Sequence, residues 1–390
     1  MTDTISVEEF RELRDPETTG DEDGLVVVDT REPESFEGWR LPGSVNYPFK
    51  PGESVDRTHF EQETGASQDD HVVTICAIGK SSDAFADALA DIGYDHVSVV
   101  DGGMAAYSGA YDVTTVPTDD DSVEIVQLQR RAKGCLGYVV ACTETKQAAA
   151  IDVTRQTDGF RQAAEDRGYD LVAVFDTHVH ADHVSGGREL ADELGVPYYL
   201  GAHAAADREV AYDYEPLARN EVVSVGNVEM KALATPGHTS ESVSYLVNAA
   251  AVLTGDTLFV ESVGRTELQF ADAEAEHGAE MLYDSLHGTL LAEPDSVVVC
   301  PGHFPVADDG TTPITPGEPV AARVGDRRTS SGVLQESRDG FVASVTDDLP
   351  AKPPNYERVI AVNTGHEKLG DEKEAVELEL GPNRCAASED

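Results

Sequence analysis

The chain has 390 residues, enough for two domains with substantial cores. Asp and Glu number 74 against 28 Lys and Arg, a formal charge of −46. The acidity is scattered among segments with regular apolar spacing, which excludes a disordered acidic chain. It also argues against nucleic acid and anionic membranes as partners, because their phosphates would be repelled. Five cysteines, Cys76, Cys135, Cys142, Cys300 and Cys385, are odd in number and lack paired spacing. That pattern points to a reducing compartment rather than a disulfide framework. The first residues carry no basic and apolar leader, and no apolar run is long enough to span a bilayer, so the expected location is the cytoplasm.

Residues 1–112 read as alternating strands and helices. Leu25-Val26-Val27-Val28 is a short buried-type strand leading into Asp29-Thr30-Arg31-Glu32. The turn Leu41-Pro42-Gly43 follows, then Ser44-Val45-Asn46-Tyr47-Pro48. Val72-Val73-Thr74-Ile75 is a second strand, ending at Cys76-Ala77-Ile78-Gly79-Lys80-Ser81-Ser82. A helix with Phe85, Ala88, Leu89 and Ile92 on its apolar face comes next, and Val97-Ser98-Val99-Val100 leads into Asp101-Gly102-Gly103. Such alternation predicts a mostly parallel sheet with functional loops at the strand C-termini. Cys76 falls where a loop meets a helix N-terminus, whose N–H groups and dipole stabilise a thiolate or an anion, with Lys80 adding charge. On position alone it reads more often as a buried core thiol.

Val-Asp-Thr-Arg-Glu, Leu-Pro-Gly-Ser-Val-Asn-Tyr-Pro, the cysteine loop and the terminal Asp-Gly-Gly together resemble a rhodanese domain, in that family's order. The resemblance implies that Cys76 carries a persulfide sulfur, in a loop that includes Gly79, Lys80 and Ser81. Two positions depart from the family pattern: Ser81 stands where arginine is frequent, and Arg40 where histidine is frequent. They leave open the preferred acceptor, and a purely structural module as the alternative.

Residues 113–122, rich in Thr, Pro and Asp, read as a linker. Beyond them short strands recur, at 123–126, 137–140 and 149–152, with a helix around 160–167. The apolar run Leu171-Val172-Ala173-Val174-Phe175 then ends in Thr177-His178-Val179-His180-Ala181-Asp182-His183. A strand ending in His-x-His-x-Asp-His delivers several metal-ligand side chains to one point. An amphipathic helix at 188–194 and strands at 222–225, 243–247 and 251–253 follow. Three more ligand-type residues sit at strand ends or tight turns: His238 in Thr235-Pro236-Gly237-His238, Asp256 after Leu253-Thr254-Gly255, and His303 in Cys300-Pro301-Gly302-His303. Imidazoles with a carboxylate suit zinc or iron(II), whereas calcium and magnesium prefer oxygen shells.

This set resembles the metallo-β-lactamase superfamily across 123–305, which implies an αββα sandwich with the metal at one edge of its two sheets. The remainder, 306–390, is then expected to be a C-terminal extension packing on that domain. Two reactions fit the resemblance. A hydrolase similar to hydroxyacylglutathione hydrolases would hold two zincs, one on His178, His180 and His238, the other on Asp182, His183 and His303, with Asp256 bridging. A persulfide dioxygenase would hold one Fe(II) per chain on His178, His238 and Asp256. His180, Asp182, His183 and His303 would then support the ligands or the substrate by hydrogen bonds.

Gly264-Arg265-Thr266-Glu267-Leu268-Gln269 resembles the dioxygenase group more closely than the thioester hydrolases, and it makes Arg265 the candidate grip for a substrate carboxylate, with an arginine paired to a surface glutamate as the alternative. Pro353-Pro354-Asn355-Tyr356 and Gly381-Pro382-Asn383-Arg384-Cys385 are similar to that group's C-terminal segment. A sulfur carrier fused to a sulfur oxidase is chemically coherent. The expected substrates are therefore a low-molecular-weight thiol persulfide and O2, and a homodimer is compatible with this reading. A third reading is a relay protein whose metal domain only binds a partner. The scarce lysine and abundant carboxylates resemble salt-adapted proteins of halophilic archaea.

Overall fold

Valine-rich runs dominate the first sheet, and they pair in parallel. The computed structural model describes residues 3–14, 24–307, 309–315, 317–330, 332–347, 349, 351–379, 381 and 383–387. Strands β1 (Asp3–Ile5), β2 (Leu25–Asp29), β3 (Val45–Asn46), β4 (His71–Ile75) and β5 (Val97–Val100) lie in the order β1-β5-β4-β2-β3. Every neighbouring pair is parallel. A parallel sheet must be covered on its faces, which is why its central strands are apolar without alternation. Phe60, Phe85 and Leu89, from the helices Arg57–Thr64 and Lys80–Asp91, pack with Val72 and Val99 as part of that cover.

The chain divides into two compact units, Met1–Ala110 with Val306–Thr312, and Tyr111–Pro305 with Pro313–Asp390. Residues 113–122 are not a free linker. Asp112–Val116 forms β6, antiparallel to β7 (Val123–Arg130) along its length. The β-branched run Val113-Thr114-Thr115-Val116 suits an edge strand, and the neighbouring Pro and Asp residues masked that signal in the sequence. Likewise 306–312 groups with the first unit, so the C-terminal extension on the second unit begins at Pro313.

The second unit holds two sheets. One runs β12-β11-β10-β9-β8-β7-β6, with β8 (Cys135–Cys142), β9 (Gln147–Ile151), β10 (Asp170–Phe175), β11 (Tyr198–Gly201) and β12 (Glu215–Leu217). The other runs β13-β14-β15-β16-β17-β18, comprising β13 (Val222–Val225), β14 (Val228–Ala234), β15 (Val243–Val247), β16 (Ala251–Gly255), β17 (Val298–Pro301) and β18 (Ala322–Arg323). Helices Thr157–Glu165 and Gly187–Leu194 cover the first sheet through Phe160, Ala163 and Leu190. The 22-residue helix Glu267–Gly288 and helix Arg338–Thr346 cover the second through Leu282, Leu286 and Phe341. Between the sheets, Phe175 meets Tyr245 edge-on at 5.2 Å, and the Tyr245 hydroxyl donates to the Asp176 carbonyl. The result is the helix–sheet–sheet–helix layering expected of residues 123–305. Among the described residues, no helix is long and apolar enough to cross a membrane.

Candidate metal centre and thiol loop

The C-terminal ends of β10 and β16, and the loop after β14, aim His178, Asp256 and His238 at one point. Their ligand atoms lie within 4.8 Å of one another, and all three side chains are buried. The His178 and His238 Nε2 atoms lie 3.8 Å and 3.6 Å from Asp256 Oδ2. Among the described residues, His178 Nε2 and Asp256 Oδ2 have no hydrogen-bond partner. Buried polar atoms left unpaired cost free energy, so their convergence fits a cation-binding site.

The outward edges of these rings are fixed. Thr177 donates its hydroxyl to Asp152, so it accepts from His178 Nδ1 at 2.9 Å. His238 Nδ1 donates to the Arg265 carbonyl at 2.6 Å. Both arrangements leave an Nε2 lone pair facing the shared point. Burial, with His180 nearby, holds His178 well below the usual imidazole range, and burial likewise lowers His238. Burial would raise Asp256, but His303 outweighs it and keeps the group a carboxylate. Two neutral imidazoles and one anion therefore face inward, a donor set suited to Fe(II) or zinc.

Three of the other motif residues form an adjoining cluster, joined to the trio through Asp256. His303 Nδ1 lies 2.5 Å from Asp256 Oδ1, and its Nε2 lies 3.0 Å from Asp182 Oδ2. Asp182 Oδ1 is 3.1 Å from His183 Nδ1. The Cys135 thiol donates to Asp182 Oδ2 at 3.3 Å. Burial would lower His303, but the two flanking carboxylates hold it well above the usual range. His180 packs its ring 4.3 Å from that of His178 but turns to another carboxylate: its Nε2 lies 3.3 Å from Asp152 Oδ1, in a buried group with Asp176. Burial would lower His180, and those carboxylates raise it instead.

Close packing explains two glycines. A Cβ on Gly302 would stand 2.5 Å from Asp256 Oδ1, and one on Gly264 would stand 1.8 Å from the Asp256 carbonyl oxygen. The glycine in each turn is what lets Asp256 be enclosed.

Arg265 does not take the role expected of it. It is 1% exposed, its Nε donates to Glu267 at 2.6 Å, and its Nη2 also pairs with Glu267. Its Nη1 donates to the Ala351 and Arg384 carbonyls. A guanidinium so engaged is not presented to a substrate carboxylate. It instead ties the C-terminal segment to the turn whose carbonyl orients His238. Beside the centre lies a cavity of about 360 Å³, reached by His303 and walled by Phe259, Phe304, Pro305, Ile314 and Val320. No Lys or Arg is among the described residues lining it.

In the first unit, Cys76 follows β4 directly and is 3% exposed. Burial would raise its thiol, but hydrogen bonds from Ser81 and Ser82 at the start of helix Lys80–Asp91 bring it below the ordinary value. Gly79 caps that helix with φ 86°. The Lys80 side chain lies outside the described residues.

Sequence reasoning missed Cys135, Asp152, Glu241, Asn363 and Glu379. Asp152 had a usable signal, since it ends an apolar run just as Asp256 does. The others had none, because long-range folding alone brings them to the histidine loop.

Residues 7–110 match the rhodanese-like domain family, and residues 134–303 match the metallo-beta-lactamase superfamily. A probable hydroxyacylglutathione hydrolase of Schizosaccharomyces pombe is 35% identical over 173 residues, covering 43% of this chain and 62% of that protein. A hydroxyacylglutathione hydrolase of Cereibacter sphaeroides is 29% identical, covering 55% and 80%. The chain thus spans less than two thirds of the first of these relatives. Among solved structures, ETHE1 from Myxococcus xanthus is 28% identical with a TM-score of 0.52, covering 62% of this chain and 99% of that one. A metallo-beta-lactamase from Staphylococcus aureus shares the fold at 24% identity and a TM-score of 0.56, covering 64% and 75%.

Proposed function

From a chain that joins a rhodanese-like domain to a metallo-β-lactamase-fold domain, we propose a persulfide dioxygenase coupled to sulfur transfer. The reaction is R–S–SH + O2 + H2O giving R–SH, sulfite and two protons. The observation that carries this reading is the convergence of His178, His238 and Asp256 on one point, with His178 Nε2 and Asp256 Oδ2 unpaired there and His180 Nε2 turned to within 3.3 Å of Asp152 instead. Two imidazoles and one carboxylate on one face are the donor set of a mononuclear iron(II) site with open positions. An iron(II) held there supplies the redox chemistry that lets O2 react with a sulfane sulfur.

The chain's own groups do the rest. Thr177 and the Arg265 carbonyl hold the imidazole lone pairs inward. His303, carrying its proton between Asp182 and Asp256, turns Asp256 so that Oδ2 faces the histidines. The apolar cavity takes the body of the thiol carrier and excludes water from it. At the first domain, the Cys76 thiolate attacks a sulfane sulfur and becomes Cys–S–S⁻, releasing the donor's thiolate or sulfite. A second thiolate then takes the outer sulfur and leaves with it as R–S–S⁻, restoring Cys76.

A second reading has specific support: Cys135, Asp182, His183 and His303 also cluster within 4.8 Å, and the curated relatives above bear the hydroxyacylglutathione hydrolase name. A second metal there would make a hydrolase. Metal content measured together with O2 uptake on glutathione persulfide, in concentrated salt, separates the two. One iron per chain with persulfide-dependent O2 consumption is expected. Two zincs, no O2 uptake and turnover of S-lactoylglutathione would overturn the proposal.

A further inference from the structure

The loop from Thr177 to Ser185 is buried and irregular, so its backbone polar groups need partners from elsewhere. Side chains supply many of them. Asp152 accepts from Thr177 N at 2.7 Å and Glu241 from Val179 N at 2.9 Å. The second half of the loop is held differently. Glu379 accepts from Val184 N at 2.8 Å, and Asn363 Oδ1 accepts from Ser185 N at 2.9 Å. The Asn363 amide also donates to the His180 and His183 carbonyls at 2.9 and 2.8 Å.

Both residues lie beyond residue 303, where the metallo-beta-lactamase match ends. Asn363 closes helix Tyr356–Asn363, and Glu379 follows helix Glu372–Leu378. They are 7% and 4% exposed. Glu379 is itself anchored, accepting from Arg130 at 2.7 Å and Arg155 at 2.9 Å. Between the two clamps runs the stretch that carries Asp182. Asp182 is hydrogen-bonded to His303, and His303 to Asp256 Oδ1, so the C-terminal helices connect to the ligand carboxylate through the loop backbone and these two hydrogen bonds.

We infer that Asn363 and Glu379 are positioning residues of the metal centre, and that the C-terminal segment is a working part of that centre rather than an appendage. The inference rests on the trio being a metal site, the part of the functional reading it shares. It does not require that the metal be iron or that the substrate be a persulfide.

Cobalt(II) titration of the full-length chain tests this, because the d–d absorption band reports ligand geometry without turnover. Asn363→Asp keeps the shape but replaces both N–H donors by oxygen. It should weaken Co(II) binding roughly 10- to 100-fold, as removal of groups supporting metal ligands does, and shift the band of the loaded protein. Glu379→Gln keeps an acceptor for Val184 but loses the charge anchored by the two arginines, and should perturb the band in the same way. If one variant fails to fold, the other still decides the matter. Glu357→Gln, an exposed position on the same helix as Asn363, should leave both readings unchanged. A clamp that only stabilises the fold would lower the thermal midpoint yet give loaded protein with the wild-type band. That result, or Co(II) affinities within about twofold of wild type, would overturn the inference. Wild-type protein that binds one Co(II) normally but, with iron, consumes no O2 would count against the functional reading alone.

Discussion

Asp256 is the residue on which the centre's charge depends. It is the one anion in the inward-facing trio, and its two oxygens have separate tasks, Oδ1 receiving His303 and Oδ2 standing free. Asp256→Asn preserves size and removes the charge, so bound metal per chain should fall at least tenfold, as read by elemental analysis after dialysis. Cys76 is the corresponding single point in the first domain. Burial opposes ionisation there, yet the hydrogen bonds from Ser81 and Ser82 prevail and lower its pKa. Iodoacetamide should therefore alkylate Cys76 with a rate midpoint below that of an unperturbed thiol. Cys76→Ala should abolish sulfur transfer from thiosulfate while leaving O2 uptake on preformed persulfide intact. Transfer that survives this change would remove Cys76 as the carrier.

At the scale of elements, the turns matter more than the strands that feed them. Pro301-Gly302-His303 brings backbone against a carboxylate, and a methyl group at 302 has no room beside Asp256 Oδ1. Gly302→Ala should lose metal while retaining the far-UV circular dichroism of wild type. Unchanged metal content would mean that the turn relaxes away from Asp256. These turns were legible in the sequence because a metal site needs ligand residues at strand ends. The buried strands were legible because runs such as Leu25–Val28 and Leu171–Phe175 have no polar interruption. Strand β6 was not, since an edge strand bounded by Pro and Asp resembles a loop in composition. An arginine–glutamate pair was open to the sequence, but spacing could not reveal that Arg265 would be buried and also spent on carbonyls 86 and 119 residues away. The clamps Asn363 and Glu379 share that difficulty: polar residues at helix ends look alike until the chain closes on itself.

For the whole molecule, two populations of charge respond oppositely to solution conditions. The exposed carboxylates behind the net charge of −46 repel one another, and salt relieves this. The Debye length falls from about 10 Å at 0.1 M to about 3 Å at 1 M, so the thermal midpoint should climb with KCl over that range. The buried Arg130–Glu379–Arg155 group is insulated from such screening. Burial alone would raise Glu379, but the two arginines outweigh it and depress the carboxyl to about 2. A carboxylate whose folded pKa is depressed contributes stability that is fully present above its unfolded value, near 4.5, and lost as pH falls toward about 2. The shift corresponds to about 3 kcal/mol. In concentrated salt, where surface repulsion is suppressed, wild type and Glu379→Gln should differ by about that amount at neutral pH and converge as pH falls through this window. Urea unfolding of both proteins across pH 7 to 2 measures the gap directly. A gap that stays constant with pH would show that Glu379 contributes through shape and hydrogen bonding, and not through its charge.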